Sequence, residues 1–112
     1  MDIKEYQKYV REHSSYKYNK KLAYIALVEE VGEVGGVIKK SAIYEDMSKF
    51  IEKYGMSVED KIVDELGDCL WQYINLLNQY NLDLQDVLDA NVVKLNNRHG
   101  SSKTVAKDGG KR

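Results

Sequence analysis

The 112-residue chain has no proline, one cysteine, one tryptophan and one phenylalanine. Average usage would place roughly five or six prolines in such a length, and their absence removes the commonest helix breaker along with any polyproline segment. A lone cysteine cannot close an internal disulfide, so a disulfide scaffold is excluded and a reducing, cytoplasmic setting is expected. Long apolar runs are missing as well. Nothing approaches the ~20 residues of a membrane span, and Met1-Asp2-Ile3-Lys4-Glu5 leads into no signal-peptide core. An excess of one charge is also lacking: 17 basic against 18 acidic side chains leave −1, which argues against nucleic acid as a partner. No membrane partner is expected either.

What is present favours helices. Hydrophobic residues make up 43% and charged residues 31% of the chain, enough apolar surface for one core and too little length for two. Ile3, Tyr6, Tyr9 and Val10 recur at helical steps and are followed by a break at His13-Ser14-Ser15. A second helix is expected from about Lys20 to Lys40, with Tyr24, Leu27, Val31, Val34 and Ile38 as its apolar face. Ile43 to Lys53 suits a shorter helical piece closed by Gly55 as a left-handed cap. Ser57 caps a long helix from about Val58 to Tyr80, whose apolar face is Ile62, Leu66, Cys69, Leu70, Tyr73, Leu76, Leu77 and Tyr80. Asn81-Leu82-Asp83 is a turn, and a last helix carries Leu84, Val87, Leu88, Val92 and Leu95. The expectation is an all-α bundle of four main helices plus a short helical insertion. Residues 1–98 form the domain, and residues 99–112 form a mobile tail with a charge of +3.

Charge interrupts this pattern at informative places. Ala26, Glu30, Glu33 and Val37 lie on one stripe of the second helix, with Glu29 the next residue round. On the 58–80 helix, Glu65 and Asp68 are three apart and border the apolar face. Two such pairs facing each other either raise one another's proton affinity or require a cation. An all-oxygen ligand set suits a hard ion, Mg²⁺ or Mn²⁺, better than zinc. The plainer alternative is a solvated acidic face. In the last helix, Asn91 occupies a core position, and Lys94 and Arg98 extend its stripe. An amide followed by two cations could meet phosphates and a sugar or base. Gly32, Gly35, Gly36 and Gly67 sit inside helices at about 1 kcal/mol each relative to alanine, a cost that close backbone approach, room for a ligand or simple tolerance would explain. Trp71 lies off the main apolar face and needs another surface, either a subunit interface or a base pocket.

The segments Glu29-Glu30-Val31-Gly32-Glu33 and Glu65-Leu66-Gly67-Asp68 resemble the E-E-x-x-E and E-x-x-D motifs of the MazG-like all-α nucleoside triphosphate pyrophosphohydrolases. The likeness covers about residues 20 to 98. Thirty-one residues, 34–64, separate the two motifs, slightly more than is usual in the family, which suggests an enlarged connection around Ile43–Gly55. The resemblance implies Mg²⁺-dependent hydrolysis of a nucleoside triphosphate to monophosphate and pyrophosphate, in house-cleaning or nucleotide-pool control. It implies Glu30, Glu33, Glu65 and Asp68 as metal ligands, with Glu29 orienting water beside Glu30. Lys94 and Arg98 would hold phosphates, with Asn91 nearby and Trp71 available to stack on a base. It further implies a homodimer or homotetramer. A non-enzymatic helical oligomer, acting as a regulatory or metal-binding partner, is the alternative. A di-iron bundle is excluded because neither His13 nor His99 follows a glutamate at three residues.

Overall fold

The computed structural model describes residues 1–14 and 19–99. Five helices fill them: α1 (Ile3–His13), α2 (Lys20–Ile43), α3 (Met47–Tyr54), α4 (Val58–Gln79) and α5 (Leu84–His99). The expected all-α bundle is therefore the observed one. His99, expected to open the mobile tail 99–112, is instead the last residue of α5, and the rest of that tail, 100–112, lies outside the described residues.

Local chemistry sets the helix ends. Asp2 accepts the Glu5 amide at 2.8 Å while Glu5 reaches back to the Asp2 amide, a reciprocal box that satisfies two amides the helix leaves over. Asn19 caps α2 by accepting from Leu22, and Ser57 caps α4 by accepting from Asp60. Gly55 ends α3 at φ +73°, a left-handed conformation that glycine enters without strain. Two boundaries differ from expectation. α2 continues through Ile43, and α3 starts only at Met47, because Asp46 caps it by accepting the Ser48 amide.

α2 and α4 form the principal pair, α1 lies on α4 and α5, and α3 packs on α4. The pair runs antiparallel, since Glu30 meets Glu65 and Asp68 while Lys40 shares a cavity with Lys61. Val10, Ile74 and Leu77 form a small core, against which Tyr6, Trp71, Leu84 and Val87 pack. Phe50 is fully buried and anchors α3 between the Tyr44 and Tyr54 rings, with centroids at 6.1 and 4.7 Å.

Buried Gln7, which the apolar periodicity of α1 passes over, joins three elements. Its amide donates to Asn78 Oδ1 at 2.9 Å and to the Leu82 carbonyl at 2.7 Å, and its oxygen accepts from the Leu84 amide at 2.9 Å. α1 is thereby bonded to the end of α4 and the start of α5.

The expected apolar faces are only partly buried. On α2, Leu27 and Val34 are half-buried, but Tyr24, Val31 and Ile38 are 58%, 54% and 52% exposed. Leu66, Leu70, Tyr73 and Tyr80 on α4 are exposed as well. α5 has no buried residue, and Asn91, expected in a core position, faces solvent. The reason is geometric: one thin bundle covers only one side of each helix, and the α2–α4 contact uses the stripe that carries the acids.

Candidate metal centre

Glu30 projects from the middle of α2, and Glu65 and Asp68 project from α4. One carboxyl oxygen of each lies within 4.8 Å of the others. The three-residue step from Glu65 to Asp68 puts both on one face, and the α2–α4 contact brings Glu30 to that face. Glu30 and Glu65 are half-buried and Asp68 is exposed. Burial first, then the charges of Asp68, Glu65, Glu33 and Glu29, push the Glu30 carboxyl above its usual pKa. The site thus holds more negative charge than its surroundings neutralise. The ion pair from Lys61 Nζ to Glu65 at 3.3 Å offsets part of it.

This donor set fits a hard divalent cation. Three carboxylates converge without imidazole or thiolate among them, which is the chemistry Mg²⁺ and Mn²⁺ select. Of the remaining predicted acids, Glu33 is exposed and lies outside the trio, but lines an adjoining cavity with Glu65. Glu29 is exposed and acts on Glu30 through its charge.

Two neighbours were not foreseen as such. Cys69, read from its helical face as core, is half-buried, and burial together with Glu30, Asp68 and Glu65 raises its thiol pKa. Tyr6 of α1 has its phenol pKa raised by burial, then by Tyr9 and Asp68. α1 therefore stands within the electrostatic reach of the acids.

The predicted substrate residues are placed differently. Lys94 and Arg98 are half-buried and Asn91 is exposed, all on α5, which packs chiefly on α1. None of the three belongs to the acidic cluster or lines the cavity beside it. Trp71 finds its surface within the chain: it packs on the Val10–Ile74–Leu77 core and meets Tyr9 edge-on at 5.9 Å.

The basic groups beside the acids are instead Lys61 and Lys40. With Glu33, Gly36, Val37, Phe50, Tyr54 and Glu65 they line a cavity of about 160 Å³ between α2, α3 and α4. A sequence signal existed for Lys61, which precedes Glu65 by one helical turn. None existed for Lys40, which reaches the cavity through the helix pairing.

An antiparallel helix pair with carboxylates converging from both partners is the arrangement that the two sequence motifs imply. Residues 19–102 match the family model of the MazG nucleotide pyrophosphohydrolase domain, so the chain belongs to that family. The matched span takes in α2 to α5 and leaves α1 outside it. No curated protein and no solved structure matches the chain. Among the described residues, no helix is long and apolar enough to cross a membrane.

Proposed function

We propose that this protein hydrolyses a nucleoside triphosphate at the α–β phosphoanhydride, releasing the nucleoside monophosphate and pyrophosphate, with Mg²⁺ as the working ion and Mn²⁺ able to replace it. The convergence of Glu30, Glu65 and Asp68 on one point carries this reading. In it, Glu30, Glu65 and Asp68 hold the ion, and Glu33 approaches from the adjoining turn. The ion, when bound, supplies charge neutralisation of phosphate oxygens and acidification of water.

The chain's own groups supply the rest. Glu30, beside the ion, is placed to accept a proton from the attacking water. Glu29, exposed one residue away, orients that water. Lys61, already beside Glu65, can turn to the phosphates when a cation takes over the carboxylate. Lys94 and Arg98, with Asn91, serve the phosphate next to the sugar and the sugar itself from α5. Trp71 serves packing in this scheme, its ring being engaged by Tyr9 and the core.

The exposed apolar stripes of α2 and α4 support a homodimer or homotetramer, because patches of this kind mark association surfaces. The reading places the protein in the cytoplasm, with house-cleaning or pool control as its task.

The test is pyrophosphate release from a panel of canonical, deoxy and modified triphosphates with Mg²⁺ or Mn²⁺. Release from at least one nucleotide is expected, falling about a hundredfold or more in Glu65→Gln. Silence across the panel would favour the non-enzymatic oligomer, and full activity in a folded Glu65→Gln protein would overturn the proposed site.

A further inference from the structure

The cavity between α2, α3 and α4 has a polarity along its length. Glu65, a member of the acidic cluster, and Glu33 line it together with Lys61, whose ammonium is 3.3 Å from Glu65, and with Lys40, about two helical turns beyond Glu33 on α2. At 1.5 Å per residue, Lys61 is about 6 Å along α4 from Glu65, and Lys40 is about 10 Å along α2 from Glu33. A phosphate chain whose reacting end lies at the carboxylates therefore points its free end toward Lys40.

The walls suit a small anion. The volume is about 160 Å³, well above the roughly 10–15 Å³ that one water needs by this measure. Fully buried Phe50 closes the α3 side. Gly36 lines the space, and nothing lies within 4 Å of where its missing side chain would begin. Tyr54 also lines the space, and its hydroxyl is buried without a well-formed hydrogen bond. The two lysines differ in what they already hold. Lys61 is paired with Glu65, whereas among the described residues no carboxylate pairs with Lys40. The Lys40 ammonium lies 5.6 Å from the centroid of the Tyr54 ring, and the Tyr54 hydroxyl first, then the charge of Glu33 among others, hold its pKa above the ordinary lysine value, so it stays a cation.

We infer that Lys40, backed by the α3 wall of Phe50 and Tyr54, recognises the terminal phosphate of the nucleotide and so gauges the length of its phosphate chain. This rests on the proposed hydrolysis and extends it: the cluster fixes where the bond breaks, and Lys40 fixes how many phosphates lie beyond it. The insertion that carries α3 thereby becomes a specificity element. Residues assigned from α5 are not needed for this selection.

The experiment measures binding, by calorimetry with Mg²⁺, of the α,β-imido analogues of the four deoxynucleoside triphosphates, each against its own monophosphate. The proteins are wild type, Lys40→Gln and Lys40→Arg. Loss of one charge-assisted contact is expected to weaken the best triphosphate analogue about tenfold or more in Lys40→Gln. The monophosphate should change by less than about twofold, and Lys40→Arg should recover most of the loss. Equal weakening of both ligands, or no weakening of the triphosphate analogue, overturns the assignment while leaving the hydrolysis intact. Should wild type bind no analogue and release no pyrophosphate, the proposed function fails by itself. Inorganic pyrophosphate with Mg²⁺, titrated into wild type and Lys40→Gln, then decides the cavity: binding lost in the variant supports it, and equal or absent binding overturns it.

Discussion

A carboxyl oxygen of Glu30 on α2 stands within 4.8 Å of one from Asp68 on α4, although 38 positions separate the two residues in the chain. Like charges at that range oppose folding until a proton or a cation intervenes. The helix pair thus carries a built-in cost at its centre, set against the burial that surrounds it.

That cost has a measurable sign. The folded-state pKa of Glu30 lies above its ordinary 4.5, so the native chain binds this proton more tightly than the unfolded one. Stability is therefore gained as pH falls from neutral through the raised value, and the gain is complete below 4.5. Metal-free Glu30→Gln should melt higher than wild type at pH 7, with the difference shrinking toward pH 4.5. Mg²⁺ should raise the wild-type melting temperature at pH 7 and not that of the variant. Thermal melts across pH, with and without Mg²⁺, check this; parallel curves for the two proteins would remove charge crowding as the cause.

Phe50 is the sole buried residue of α3. Truncation to alanine should cost about 3–5 kcal/mol, the usual range for a buried phenylalanine. Urea unfolding gives the number. A loss under about 1 kcal/mol would mean that α3 is held by other contacts.

Gln7 makes three hydrogen bonds of 2.7–2.9 Å to Asn78, Leu82 and Leu84. Gln7→Leu would strip the Leu82 carbonyl and the Leu84 amide of this partner in a half-buried region, while Asn78 Oδ1 keeps Arg11, at about 2–3 kcal/mol. Hydrogen exchange should show faster opening of α1 and of the α4–α5 turn, with α2 and α3 little changed. Uniform acceleration across all helices would instead mark a global role for this network.

Val31 on α2 and Leu66 on α4 are 54% and 51% exposed. If these stripes join copies, Val31→Glu and Leu66→Glu should each convert the assembly to monomer, since a buried unpaired carboxylate is costly at an interface. Light scattering coupled to size exclusion reads the mass directly. A wild-type protein that is already monomeric at micromolar concentration would dismiss the interface.

Much of the fold is legible in residue order because helix formation is governed by neighbours. Ser57, Gly55 and Asn19 act within four residues of the ends they set, so their effect is written locally. The spacing of Glu65 and Asp68 is equally local, and so is the stripe of Glu30 and Glu33. Burial is a different matter. Tyr24, Val31 and Ile38 have the periodicity of a core face, yet they remain exposed in this chain. Periodicity reports that a face is apolar without reporting what covers it. Gln7 shows the converse: a polar side chain buried because three polar partners from distant positions meet it.

The sequence by itself determined the helices, their caps and the two acidic pairs, each of which depends on residues a turn or two apart. Only the tertiary structure decided that Glu30 completes a cluster with Glu65 and Asp68, that Lys40 and Lys61 share a cavity beside it, and that Asn91, Lys94 and Arg98 stand on a helix away from it. The physical reason is the antiparallel pairing of α2 with α4. It aligns residues tens of positions apart by packing, and no periodicity within either helix specifies that register.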